Sequence, residues 1–204
     1  MRIIAGTYGS RRLEAPPGLN TRPTSDRLRE TLFNVLAPRI NKAGGGAAFL
    51  DLYAGSGAVG LEALSRGAAR VAFVERAPVA LKVLRRNLEQ LGVASGFVIH
   101  AESVAAFLRS VTKTSPKPIP HGVVFLDPPY DAAAEYAATL GLLGRAPGIL
   151  APGALVIAEH RRKQSLEDRY GSLKRVRLLE QGDAALSFYE TASAPADGSS
   201  ASPL

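Results

Sequence analysis

Four consecutive residues, Asp127-Pro128-Pro129-Tyr130, carry the most readily interpreted chemistry in this sequence. They follow an apolar run over residues 123–126 that is typical of a buried parallel strand. The two prolines stiffen the backbone, so the Asp carboxylate and neighbouring carbonyls can accept N–H groups while the aromatic ring covers a planar ligand. This pattern suits an exocyclic amine on a nucleobase. An ordinary Pro-Pro turn with a helix-capping Asp is the alternative.

A glycine-rich segment precedes the first helix of the main repeat. Gly55, Gly57 and Gly60 satisfy G-x-G-x-x-G, and Glu75 ends the next strand, where it can accept hydrogen bonds from ribose hydroxyls. These features predict a cofactor that contains adenosine, although a purely structural glycine turn is an alternative. The predicted cofactor-binding residues of this region are Asp51, Tyr53, Gly55, Ser56, Gly57 and Glu75.

Two observations favour S-adenosylmethionine over a nicotinamide dinucleotide. Asp51 places negative charge ahead of the glycines, which suits a sulfonium or ammonium group better than a pyrophosphate. The motif that begins at Asp127 also has no evident role in hydride transfer. The sequence therefore predicts a methyl donor as cofactor, with an oxidoreductase as a weaker alternative.

The composition excludes several other kinds of site. The chain has no cysteine, which rules out disulfides, Cys-zinc sites and thiol nucleophiles. Its three histidines, His100, His121 and His160, lack metal-ligand spacing, so we expect no metal. No apolar run reaches the roughly 18 residues of a spanning helix, and the N-terminus lacks a signal-peptide core. We expect a cytoplasmic protein, with a monomer as the default.

Positive charge is concentrated at the amino terminus. The chain has a formal net charge of +7, and residues 1–42 hold eight bases but only three acids. Arginine dominates this region, which suits contacts with phosphates and stacking on bases. The charge distribution therefore indicates a nucleic-acid partner, with a solvated basic face as the alternative.

Strand and helix alternate from residue 49 to residue 158, which predicts a mainly parallel α/β sheet with right-handed crossovers. Two further strands joined at residues 181–183 predict an antiparallel hairpin at the carboxyl end. Residues 1–15 predict a small β-hairpin, and a helix is expected to begin near Thr24 or Ser25. We expect an amino-terminal extension over 1–43, an α/β domain over 44–190 and a disordered tail over 191–204.

With these motifs placed, the chain resembles the class I S-adenosylmethionine-dependent methyltransferases. More narrowly, it is similar to the bacterial RsmD family, which methylates a guanine exocyclic amine in 16S ribosomal RNA. The likeness runs from Met1 to about Glu190, and the block Arg22–Asn34 (RPTSDRLRETLFN) is its most family-specific part. It implies a Rossmann-like methyltransferase domain over 44–190.

The resemblance also implies roles for individual residues. The segment containing Thr24, Arg27 and Glu30 is expected to close the cofactor pocket. The family commonly has an acidic residue, often Asp, near the adenine, and the candidate in this chain is Glu102. An ordinary glutamate in the first turn of a helix is the alternative for that position.

For the reaction, we expect Asp127 and a carbonyl of the Pro128-Pro129 segment to accept the N–H groups of guanine N2, while Tyr130 stacks on the extruded base. The expected substrate is 16S ribosomal RNA within a small-subunit ribonucleoprotein particle. The residues expected to contact RNA, besides Tyr130, are Arg2, Arg11, Arg12, Arg22 and Arg27. The alternatives are an adenine or cytosine amino-methyltransferase acting on DNA or another RNA, and a non-catalytic nucleic-acid-binding protein on a methyltransferase scaffold.

Overall fold

A computed structural model describes residues 1–16, 26–40, 46–111, 119–129, 133–146 and 148–191. The strands of these ranges are β1 (Ala48–Leu52), β2 (Arg70–Val74), β3 (Phe97–His100), β4 (His121–Leu126), β5 (Leu150–Arg161), β6 (Arg169–Tyr170), β7 (Leu173–Gln181) and β8 (Ala184–Thr191). They form one sheet in the order β3-β2-β1-β4-β5-β8-β7-β6. Strands β1 to β5 pair in parallel, whereas β6, β7 and β8 join by antiparallel pairing.

Helices cover both faces of this sheet. The described helices are α1 (Asp26–Ile40), α2 (Ala58–Ser65), α3 (Pro78–Leu91), α4 (Val104–Val111) and α5 (Ala133–Leu143). Along each strand, side chains alternate between the faces. Phe49 and Phe125 pack with α1, α2 and α3 in one core cluster. Leu50 and Val124 pack with α4 and α5 in the other. The predicted α/β class, with its mostly parallel sheet, is confirmed.

Helix α3 illustrates how local sequence sets these elements. Pro78 occupies its first turn, where a missing backbone N–H leaves no helical hydrogen bond unmade. Gly92 caps its carboxyl end with a left-handed φ of 73°. Leu84 and Leu88 share its buried face. The sequence over residues 78–91 predicts a helix, and the structure has the helix in that range.

The carboxyl-terminal hairpin is also confirmed, with some changes of extent. Strands β7 and β8 meet at a turn in which Gly182 has a φ of 61°. Strand β5 continues beyond residue 158, where the predicted alternation ends, because its far end pairs antiparallel with β8. The two-residue strand β6 was not predicted, since so short a run has no periodicity. Of the predicted tail, Thr191 ends β8, and the remaining residues lie outside the described ranges.

The amino-terminal hairpin closes on a bridge between Arg2 and Arg12. Its edge docks onto α2, where the side chain of Glu62 accepts hydrogen bonds from the backbone N–H groups of Ile4 (2.7 Å) and Ala5 (3.1 Å). Since Glu62 is fully buried, these amides take the place of solvent around its charge. The hairpin is thereby joined to the element that leads out of the glycine loop.

Helix α1 contributes its apolar face, including Leu32 and Phe33, to the same core cluster as the strands. Its Arg29 is fully buried and donates to Asp26 Oδ1 (2.9 Å) and to the backbone oxygen of Arg2. The Nε of Arg29 also lies 3.8 Å from Glu62 Oε2. Burial lowers the pKa of Arg29, and both carboxylates oppose that effect. This buried charge links α1, α2 and the hairpin.

Candidate active site

The two motifs singled out in the sequence meet where the strand order reverses. Strand β1 pairs in parallel with β2 on one side and with β4 on the other, and Leu52 lies opposite Leu126. The glycine loop leaves β1, and Asp127 leaves β4, at the same edge. In open α/β sheets, ligands bind in the crevice outside the carboxyl ends of strands at such a switch point.

The glycine loop has a conformation that requires glycine. Gly55 and Gly57 have φ values of 57° and 80°, in the left-handed region. A Cβ atom on Gly57 would also lie 2.3 Å from Cδ1 of Leu84 on α3. Gly57 precedes the first residue of α2, so its conformation sets the direction in which the helix leaves the loop.

The side chain of Asp51, in β1, holds the first turn of α2. Its carboxylate is buried in β1, and Oδ2 accepts the backbone N–H of Gly60 at 2.9 Å. Burial raises the pKa of Asp51 to about 8, the charge of Glu75 adds to that effect, and the Gly60 hydrogen bond opposes it. Asp51 therefore shapes the loop from inside the sheet.

Glu75 connects the end of β2 to the glycine loop. Its Oε2 accepts the N–H of Gly55 at 2.8 Å, and its Oε1 accepts the N–H groups of Arg76 and Ala77, both at 2.8 Å. The side chain is half-buried. The acidic residue predicted to receive ribose hydroxyls is thus held beside the loop by three backbone donors.

Tyr53 turns the chain from β1 into the loop. The sequence over residues 49–53 predicts a strand, but the φ of Tyr53 is 60°, so this residue follows β1 rather than extending it. The hydroxyl donates to Glu135 Oε2 at 2.8 Å and lies 2.7 Å from Thr139 Oγ1, both on α5. Burial is the main cause that raises the pKa of Tyr53 above its ordinary value. These contacts tie the start of the loop to α5.

The Asp-Pro-Pro segment follows β4 directly. Asp127 is half-buried, Pro128 is buried and Pro129 is exposed, whereas Tyr130 lies outside the described residues. The pKa of Asp127 is raised well above its ordinary value, first by burial and then by the negative charges of Glu159 and Asp51. The carboxyl group at this position thus binds a proton more tightly than an exposed aspartate does.

Asp127 belongs to a row of acidic side chains that crosses four adjacent strands. In sheet order the row consists of Glu75 after β2, Asp51 in β1, Asp127 after β4 and Glu159 in β5. By register Asp51 lies opposite Phe73 and Phe125, two residues before Glu75 and Asp127. Each member of the row follows by two positions a residue of the α1–α3 core cluster, namely Phe73, Phe49, Phe125 and Ile157. Because alternate strand residues share a face, this acidic row lies on the α1–α3 side of the sheet. These carboxyl groups favour a cationic ligand over an anionic one, because a nearby positive charge stabilises their ionised forms.

Glu159 is a member of the acidic row that the sequence interpretation missed. It is buried in β5, directly after an apolar run over residues 154–158. A carboxylate that continues such a run indicates a buried polar contact, because charged side chains are rarely fully buried unless they are paired. The sequence could not show that Glu159 would lie next to Asp127.

Asn87 was also missed. It is fully buried on α3, where its Nδ2 donates to the backbone oxygens of Ser56 (2.9 Å) and Glu14 (3.1 Å). Its Oδ1 accepts the N–H of Glu14 at 2.8 Å. Asn87 therefore fastens the glycine loop and the amino-terminal segment to one helix. An asparagine on the apolar face that carries Leu84 and Leu88 was the available signal.

The remaining predicted cofactor residues are more dispersed. Glu102 follows β3 and is partly exposed, with its Oε1 3.9 Å from Nδ1 of His100. It lies at the same edge of the sheet as the acidic row, one strand beyond β2. Glu30 is exposed on α1, and Thr24 lies outside the described residues.

The predicted RNA-binding arginines differ in their surroundings. Arg11 donates to the backbone oxygens of Leu91 (3.0 Å) and Gln90 (2.8 Å), so its guanidinium group caps the carboxyl end of α3. The Nε of Arg2 lies 3.6 Å from Asp26 Oδ2, although its side chain is mostly exposed. The other two described members of the set, Arg12 and Arg27, are exposed, and Arg22 lies outside the described residues.

In the part of the chain that the structure describes, no three His, Cys, Asp or Glu side chains are grouped so as to hold a metal ion. Across the same residues, none of the helices is both long and apolar enough to span a membrane. The polar groups that the structure places at this edge of the sheet include carboxylates, backbone amides and the hydroxyl of Tyr53.

The strand order and the position of the glycine loop at the switch point define a class I methyltransferase fold. Residues 1–190 match the family described as Conserved hypothetical protein 95. The chain belongs to this family, and its resemblance to the RsmD methyltransferases is confirmed.

Named relatives and a solved structure agree with this assignment. The chain is 41% identical over 130 residues to ribosomal RNA small subunit methyltransferase D of Escherichia coli (strain K12), covering 64% of this chain and 60% of the relative. It is 42% identical over 133 residues to the Haemophilus influenzae protein of the same name, covering 64% of each. Both alignments thus span less than two thirds of the relative's length.

The fold comparison extends over nearly the whole chain. A solved structure of a hypothetical protein from Thermus thermophilus superposes with a TM-score of 0.76 at 31% identity, covering 92% of this chain and 98% of that one. Most of this chain therefore has a fold that the two proteins share.

Proposed function

We propose that this chain transfers a methyl group from S-adenosylmethionine to the exocyclic N2 amine of a guanine in 16S ribosomal RNA. The observation that carries the proposal is the position of Asp127, in the acidic row and beside the glycine loop at the switch point. The names of the relatives, ribosomal RNA small subunit methyltransferase D, support the choice of substrate.

The residues at this edge fit a cationic cofactor that contains adenosine. Glu75, with its carboxylate at the end of β2, would accept the ribose hydroxyls, and the Gly55–Gly57 backbone permits close approach of the ligand. A sulfonium or ammonium group bound nearby would favour the ionised forms of Asp51 and Asp127, whereas a pyrophosphate would disfavour them further. The geometry and charge therefore favour S-adenosylmethionine.

When bound, S-adenosylmethionine supplies an electrophilic methyl carbon, and its carbon–sulfur bond breaks with the electron pair left on sulfur as the amine nitrogen bonds to carbon. Asp127 and a carbonyl of the Pro128-Pro129 segment accept the N–H groups of the amine, which directs its lone pair toward the methyl group. The proton that the nitrogen loses passes to the Asp127 carboxylate and then to water. Tyr130 stacks on the extruded base.

The amino-terminal extension supplies the RNA contacts in this proposal. Arg12 and Arg27 are exposed, so their guanidinium groups are available to phosphates. Arg11 already donates hydrogen bonds to the carboxyl end of α3, so only its remaining N–H groups can contact RNA. Since small subunits are assembled in the cytoplasm, we infer that the chain acts there, as a monomer bound to the ribonucleoprotein particle.

The test is methyl transfer from labelled S-adenosylmethionine to small ribosomal subunits purified from cells that lack this gene. Nucleoside analysis should place the label in N(2)-methylguanosine of 16S RNA. The Asp127→Ala variant should lower the rate by about 10²-fold or more, because it loses both the N–H acceptor and the proton acceptor. Calorimetry should show that this variant still binds S-adenosylmethionine.

A matched control is Glu89→Gln, which alters an exposed carboxylate on α3 and should leave transfer unchanged. Normal transfer by Asp127→Ala would refute the assigned role of Asp127. Label in DNA or in another RNA, with none in small subunits, would replace the proposed substrate by one of the alternative nucleobases. Absence of cofactor binding by the wild-type protein would favour a non-catalytic nucleic-acid-binding protein.

A further inference from the structure

Asp127 and Glu159 are neighbours by strand register. Leu126 of β4 lies opposite Ala158 of β5 at the end of a parallel ladder, and Asp127 and Glu159 are the residues that follow this pair. Strands in a sheet are about 4.8 Å apart. Both side chains lie on the α1–α3 side, because Phe125 and Ile157, two positions earlier, pack there. The charge of Glu159 accordingly acts on the carboxyl group of Asp127.

Glu159 is the more deeply placed of the two. It is 2% exposed, whereas Asp127 is half-buried and faces the crevice at the switch point. The backbone oxygen of Glu159 accepts the hydroxyl of Tyr136, a fully buried residue of α5, at 2.9 Å. This contact holds the strand in register from the opposite face of the sheet, so the position of Glu159 relative to Asp127 is structurally constrained.

We propose that Glu159 is a positioning residue that acts through Asp127, its charge making the neighbouring carboxylate the preferred acceptor of the proton released by the amine. This inference rests on the proposed function, since it assigns the acceptor for that same reaction. Like charges at short distance favour a bound proton on one of the two groups. The charge of Glu159 is accordingly one of the causes that raise the pKa of Asp127.

The other ionised groups near Asp127 can be named from the elements around it. Asp51 on β1 acts in the same direction as Glu159. Glu135 on α5 accepts the Tyr53 hydroxyl, and Glu62 on α2 faces the hairpin amides and Arg66. Among the described residues, the negative charges of Glu159 and Asp51 are therefore the ones that strengthen Asp127 as a base.

The chemical consequence is that the pKa of Asp127 suits its proposed role as the general base in methyl transfer. A base works best when its pKa lies near the pH of the reaction, and an isolated aspartate is too weak an acceptor for that. Asp127 must be ionised to accept an N–H, so transfer should fall as the pH falls through the pKa of Asp127. With Glu159 beside Asp127, this loss of methyl transfer should occur at a higher pH than it would if Asp127 had no charged neighbour.

The experiment titrates Asp127 directly. The carboxyl carbons of aspartate are labelled with ¹³C in the full chain, and the Asp127 signal is assigned by its loss in Asp127→Asn. In Glu159→Gln, the NMR titration midpoint of Asp127 should move to lower pH by about one unit or more. The acidic limb of the pH–rate profile for methyl transfer should move in the same direction. Glu159→Asp, which keeps the charge, should restore much of both.

The control Glu89→Gln should move neither the titration nor the rate profile. An Asp127 midpoint that stays within about 0.3 pH units in Glu159→Gln would overturn the inference, whatever the effect of that substitution on activity. The NMR titration requires no substrate, so it decides the inference even if wild-type protein fails to methylate small subunits. That failure would count against the proposed function alone.

Discussion

Replacing Asp51 by Asn should change how the stability of this protein depends on pH. Asp51 is 2% exposed in the middle of the sheet, and an amide of the same shape can still accept the N–H of Gly60 through its oxygen. The substitution therefore removes the charge while it keeps the hydrogen bond that holds α2. Its effect should report the free-energy cost of burying that charge.

The direction in which the free energy of unfolding changes with pH follows from the raised pKa of Asp51. In the unfolded chain Asp51 has its ordinary pKa of 3.8, whereas in the folded protein its pKa is about 8. Between these values the folded state holds a proton that the unfolded state has lost, so the free energy of unfolding falls as the pH rises toward 8. Below about pH 3.8 the stabilising contribution of Asp51 to the free energy of unfolding is fully present. Above about pH 8 that contribution has been lost.

The magnitude can be worked from the same values. The window from about pH 5 to about pH 8 spans roughly three pH units, at about 1.4 kcal/mol each, so ionisation of Asp51 should cost about 4 kcal/mol. Context commonly changes such contributions twofold, which leaves about 2 kcal/mol as the smallest loss expected. The Asp51→Asn protein should lack this loss.

The assay is urea unfolding of both proteins at about pH 5 and about pH 8.5, analysed by linear extrapolation. The wild-type protein should lose about 2–4 kcal/mol more than Asp51→Asn between the two conditions. Using the difference between the proteins removes the contribution of groups that titrate in both. Parallel pH dependences would refute the reasoning, because they would show that Asp51 changes ionisation equally in the folded and unfolded states.

Two further substitutions test the attachment of the amino-terminal segment. Gly6→Ala should lower the free energy of unfolding by more than about 1 kcal/mol, because Gly6 has a φ of 85° and its Cβ would lie 1.9 Å from the backbone oxygen of Ser65. Unchanged stability in urea would show that the hairpin can move off α2 freely. Asn87→Ala should cost about 1–3 kcal/mol and weaken cofactor binding measured by calorimetry, since the carbonyls of Ser56 and Glu14 lose their donor. A loss of stability with undiminished cofactor affinity would contradict a role for Asn87 in holding the glycine loop.

Much of the fold could be predicted because its signals are local. The alternation of apolar strands and amphipathic helices predicted the parallel sheet, and the turn at Gly182 predicted the final hairpin. Differences arose where pairing partners decide the extent of an element. Strand β5 is extended by its antiparallel partner β8, and the hairpin at the amino terminus closes on a bridge rather than a ladder because its edge bonds to α2 instead.

The site was predicted in part for the same reason. Glycine spacing and the Asp-Pro-Pro motif are short-range patterns, so both could be recognised along the chain, and parallel topology then placed them at one edge. Glu159 and Asn87 could not be recognised as members of the site. Each looks like an isolated polar residue until strand register or helix packing shows what lies beside it.

The sequence by itself determined the class of fold, the positions of the glycine loop and of Asp127, and the kind of cofactor that they favour, since these depend on residue types a few positions apart. Only the tertiary structure decided that Glu75, Asp51, Asp127 and Glu159 form one acidic row. The physical reason is that a shared field depends on distances across the sheet. Those distances follow from strand order and register, which are set by long-range pairing and by the packing of both core clusters.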